Sequence, residues 1–89
     1  MATMLVAYDL NRPHQDYANL YRRLEQVGSN WWHQLDSTWL IKTTLPEDQL
    51  RDELRRHIDA DDELLIIDVT SRPWAAAGFN SYDWLHEYL

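Results

Sequence analysis

The sequence predicts an α+β domain, a four-stranded antiparallel sheet with two helices on one face, and three observations carry that expectation. Apolar strand-like runs bracket the body of the chain, "TMLVAYDL" near the start and "ELLIIDVT" from residue 63. Between them "NWWHQLDSTWLIKTT" interleaves aromatic and β-branched residues with polar ones, as a hairpin does. Two segments with helical spacing separate these runs. The resulting order, β-α-β-β-α-β with a tail, is the split βαβ or ferredoxin-like arrangement, in which two crossovers place both helices on the same face.

Each element has its own justification. The first strand is apolar at successive positions, which suits a central strand covered on both faces. After "NRPH", Tyr17, Leu20, Tyr21, Leu24 and Val27 recur at helical spacing, and Gly28 is expected to close the helix. Strands are expected at about 30–35 and 38–43, joined at Asp36-Ser37, whose side chains can bond their own backbone. In "TLPE" Thr44 is placed to cap a second helix with Glu47 three residues on, and Leu50, Leu54 and Ile58 form its apolar stripe. A last strand covers 63–69. In the tail, about 70–89, "SYDWLHEYL" reads as a short helix with Asn80 or Ser81 as cap.

The 89 residues read as a single domain, 1–89. A chain this short buries only about 60% of its unfolded surface. Two helices on one face leave the other bare, and five Trp and five Tyr exceed the needs of one small core. A homodimer packed sheet to sheet is therefore expected, with the tail aromatics Trp74, Phe79, Tyr82, Trp84 and Tyr88 sealing it or covering a sheet edge. Trp31 and Trp32 are adjacent on a strand and must point to opposite faces, so one is core and the other is free to meet a partner.

The net charge of −7, from 15 acidic and 8 basic side chains, argues against broad affinity for polyphosphate and leaves nucleic acid only as a local or metal-assisted partner. The basic residues gather at Arg22 and Arg23 and at Arg51, Arg55 and Arg56, toward helix C-terminal ends where cations complement the dipole. Without Cys there is neither a disulfide nor a thiolate metal site. No basic stretch followed by a long apolar run opens the chain, and no apolar run is long enough to span a bilayer, so a cytoplasmic, non-membrane protein is expected. His14, His33, His57 and His86 lack metal-ligand spacing, although His33 is placed to reach the sheet end that carries Asp36 and Ser37.

Asp9 stands where the first strand stops. Turn placement alone explains an Asp before "NRP". Yet Tyr8-Asp9-Leu10 at a strand end, a helix ending "RRLEQVG", a hairpin containing "LDSTWLIKT" and the closing "LLIIDV" together resemble the CRISPR-associated Cas-two proteins, and most closely the stand-alone SinR-family branch. The resemblance spans nearly the whole chain.

That resemblance implies a ferredoxin-like homodimer in which Asp9 is the metal-linked residue. Two Asp9 side chains brought together across the dyad would then hold Mg²⁺ for phosphodiester cleavage of RNA or DNA. It also singles out Ser37, at the start of the second hairpin strand; Arg12, the only fixed cation in "NRPHQD", is expected near the phosphate. Cas-two chains carry a basic run after the Asp, and its absence here, with the acidic charge, weakens the DNA-scaffold role the same fold can play. The alternative is a non-catalytic dimer that binds another protein in a toxin–antitoxin or defence system.

Overall fold

A computed structural model describes residues 1–11 and 17–89. The order is β1 (Ala2–Asp9), α1 (Ala18–Gln26), β2 (Asn30–Leu35), β3 (Thr38–Thr43), α2 (Glu47–Arg55), β4 (Glu63–Asp68) and α3 (Asp83–Tyr88). The strands form one antiparallel sheet in the order β2-β3-β1-β4. This is the expected ferredoxin-like topology. β1 is central, β4 and β2 are the edges, and the two-residue turn at Asp36-Ser37 lies between the paired residues Leu35 and Thr38.

Alternation along β1 builds two cores. Met4, Val6 and Tyr8 face the helices and pack with Leu20 and Leu24 of α1, Leu50 and Leu54 of α2, and Trp39 and Ile41 of β3. Each fully buried Leu here contributes about 2 kcal/mol through removal of apolar surface from water. Ile58 lies beyond the end of α2 but still packs against this core.

The second face departs from expectation. The tail folds back over it, and Leu85 of α3 joins Trp32 and Leu40 in a second core edged by Leu5, Val69, Phe79, Tyr82, Trp84 and Leu89. The chain turns at Ser71 (φ 57°) and again at Gly78 (φ 89°) to make this return. Polar contacts fasten it: Thr3 Oγ1 donates to the Tyr88 carbonyl (2.9 Å), and the Trp84 indole N–H donates to Asn30 Oδ1 (2.7 Å). Thus part of the aromatic excess is used within the chain. Trp32 is 8% exposed and meets Phe79 edge to face, whereas Trp31, on the other face, is 40% exposed.

Two of the three cap expectations change. The residue before α2 is Pro46, with no side-chain cap from Thr44. Tyr82 immediately precedes α3, and the Ser81 hydroxyl accepts from the N–H of Asp83 at its start (3.3 Å). Gly28 does not end α1 in a left-handed conformation; its role is close approach, because a Cβ there would collide with the Lys42 carbonyl and the Ile41 side chain.

Candidate functional site

Asp9 is the last residue of β1, exposed, and directly across the ladder from Glu63. The rows behind it pair Ala7 with Leu65 and Leu5 with Ile67. Because strand side chains alternate, all of these share the face opposite α1 and α2. The tail does not reach the β4 side of that face, where Leu65 is 56% and Ile67 45% exposed. Side chains directly opposite in an antiparallel pair have Cβ atoms about 5 Å apart. Neither the Asp9 nor the Glu63 carboxylate makes a hydrogen bond or ion pair with a described residue.

The backbone around Asp9 is held firmly. The Tyr8 N–H donates to the Ser37 carbonyl (3.1 Å), and the Tyr8 hydroxyl donates to the Asp36 carbonyl (3.3 Å) while accepting from the Trp39 indole N–H (3.1 Å). Burial pushes the Tyr8 phenol above its ordinary value, so it stays a neutral donor. His33 stacks on Trp39 with ring centroids 3.9 Å apart, and its Nε2 lies 3.4 Å from the Asp36 carbonyl. The structure therefore brings Asp9, Ser37 and His33 to one end of the sheet.

Ser37 contributes its carbonyl to that end; its exposed hydroxyl makes no hydrogen bond with a described residue, so among the described residues no base is hydrogen-bonded to it. Arg12 and His14 lie outside the described residues. The positions flanking them are fixed: Asp62 accepts from the Asn11 N–H (2.8 Å), from the Tyr17 hydroxyl (2.9 Å) and from the Asp59 N–H (2.8 Å). Asn11 also donates through its side-chain amide to the Asp61 carbonyl.

Sequence reading missed Glu63 as a partner of Asp9. The alternation Glu63-Leu64-Leu65 was visible, but the register that sets Glu63 against Asp9 depends on how β4 pairs with β1, which spacing does not specify. The same end also carries Asp36, Asp59, Asp61 and Asp62, so it is strongly acidic. Three of the described arginines, by contrast, are engaged with carboxylates on the helix layer: Arg23 with Glu53 (2.6 Å), Arg56 with Glu53 (3.6 Å) and Arg51 with Asp52 (3.0 Å). Arg23 donates to the Glu53 carboxylate and holds it below its ordinary range.

Among the described residues no three His, Cys, Asp or Glu side chains form a set able to hold a metal ion. One chain offers a carboxylate pair. No helix among the described residues is long and apolar enough to cross a membrane. Comparison with models of known protein families, with curated proteins and with solved structures returns no match to this chain.

Proposed function

We propose that the chain works as a Cas-two-like homodimer, packed through the uncovered β4 side of its second sheet face, that cleaves phosphodiester bonds in RNA or DNA with a divalent cation at Asp9. The observation that carries this reading is the placement of two unpaired carboxylates, Asp9 and Glu63, in register beside the exposed Leu65 and Ile67. Burying those apolar residues against a second copy would bring two such pairs toward a dyad. The Cas-two resemblance of the Tyr8-Asp9-Leu10 strand end supports the same assignment.

The residues fit a hard cation. Mg²⁺ takes oxygen ligands, keeps several of its waters, and is commonly held by one or two carboxylates together with the substrate phosphate. When bound, it would supply charge neutralisation at the phosphate and an acidified water. The chain's own part is to hold the carboxylates still. Tyr8 anchors the strand end to the β2–β3 turn, and Asp62 fixes both flanks of the segment that bears Arg12, whose guanidinium would meet a phosphate oxygen.

Incubation of the purified chain with single- and double-stranded RNA and DNA, with Mg²⁺ or Mn²⁺, tests this. Cleavage abolished by EDTA and by Asp9→Asn supports it; no cleavage of any of the four substrates, or an Asn variant as active as the parent, rejects it.

The crowding of carboxylates at the Asp9 end favours a second reading, a non-catalytic dimer whose acidic face binds a basic protein partner of a toxin–antitoxin or defence system, in the cytoplasm. That reading expects no cleavage and a partner interaction that weakens steeply with salt.

A further inference from the structure

A groove of about 490 Å³ runs between the second sheet face and the tail. Its floor is Leu5, Trp32 and Leu40; Ala76, Phe79 and Leu85 of the tail line its other side. Among the described residues that line it, Arg72 alone is ionisable. In a chain with 15 acidic and 8 basic side chains, an apolar groove with a lone cation stands apart from the acidic surface around it.

The state of Arg72 adds to this. Its side chain makes no hydrogen bond or ion pair with a described residue. The nearby Asp68 carboxylate is hydrogen-bonded by the Thr70 hydroxyl (2.6 Å) and N–H (3.0 Å), and with the Arg72 charge these hold it below its ordinary range without any direct contact to the guanidinium. The cation is thus left with its donors unused at the edge of an apolar space whose volume lies within the range of small-molecule sites, about 300–1,000 Å³.

We infer that this groove binds an apolar small molecule carrying a carboxylate, its hydrocarbon part lying on Trp32 and Leu40 and its acid group on the Arg72 guanidinium. A guanidinium presents paired donors matched to a carboxylate, and the apolar walls reward every buried methylene. An uncharged ligand would forgo the first contribution; a small polar anion would forgo the second. Neither Asp9 nor Glu63 lines the groove, so the inference does not depend on cleavage.

Decanoate, kept below its micelle concentration, is a suitable probe, with decanol as its uncharged counterpart and the tryptophan fluorescence of the intact chain as readout. Saturable one-to-one binding of decanoate is expected, about tenfold or more tighter than decanol, a difference of about 1.4 kcal/mol. Arg72→Gln, at an exposed position, should remove that preference, and Arg72→Lys should retain part of it. Non-saturable binding, equal binding of acid and alcohol, or an unchanged preference in Arg72→Gln would overturn the inference. So would decanoate affinity that falls as protein concentration rises, because a second copy would then be the occupant.

Discussion

At Asp9 the β1–β4 ladder sets two like charges directly opposite, Asp9 against Glu63. Such a pair destabilises a sheet by a few tenths of a kcal/mol to about 1 kcal/mol relative to a neutral one. Glu63→Gln should therefore raise the thermal midpoint in metal-free buffer, and Mg²⁺ should stabilise the parent more than the variant. Differential scanning fluorimetry with and without Mg²⁺ checks both, and a variant less stable than the parent in EDTA would contradict the account. Behind Asp9, Tyr8→Phe removes the acceptor of the buried Trp39 indole N–H and the bond to the Asp36 carbonyl. Leaving that donor unsatisfied costs about 1–3 kcal/mol, measurable as a lower urea midpoint. Glu53 adds a pH signature. Its folded-state value is depressed by Arg23, so its contribution is present above the ordinary value of 4.5 and lost as pH falls through the lower folded value. Arg23→Gln should flatten the acid limb of a stability-against-pH curve.

Among the elements, the tail decides how the second face is used. Leu85 is 3% exposed and touches both Trp32 and Leu40, so Leu85→Ala should cost about 2–5 kcal/mol and loosen α3 from the sheet. Faster amide exchange in 83–88, with β1 and β3 still protected, is the expected pattern. The strands and helices themselves were legible in the sequence because period-two and period-3.6 patterns report burial directly: β2 and β3 begin and end where alternation and the Asp36-Ser37 turn placed them. The tail's path was not legible. Its aromatic residues announce apolar surface without saying whether that surface meets the chain's own sheet or a second copy, since no period ties "SRPWAAAGF" to a partner strand. For the same reason Asp9 could be singled out as a strand-end carboxylate, while Glu63 could be joined to it only through register.

For the whole molecule, the tail covers the sheet over β2 and β3 and leaves the β4 side, with Leu65 and Ile67, open next to the acidic pair. A dimer formed there is expected to sediment as a single species of twice the chain mass. The double substitution Leu65→Asp with Ile67→Asp should return a folded monomer, since both positions are exposed within one chain. Cleavage should be lost with the dimer if the site needs carboxylates from two copies. The central claim is that Asp9 acts through a divalent cation on phosphodiester bonds. Its most direct test is the cleavage rate of RNA and DNA by the parent and by Asp9→Asn, in Mg²⁺ and in EDTA, with thermal midpoints measured on the same samples. Mg²⁺-dependent cleavage is expected from the parent, and none from an Asn variant that in EDTA is at least as stable as the parent; a parent without activity on any substrate, or a variant that cuts at the parent's rate, would contradict a metal-linked role for Asp9.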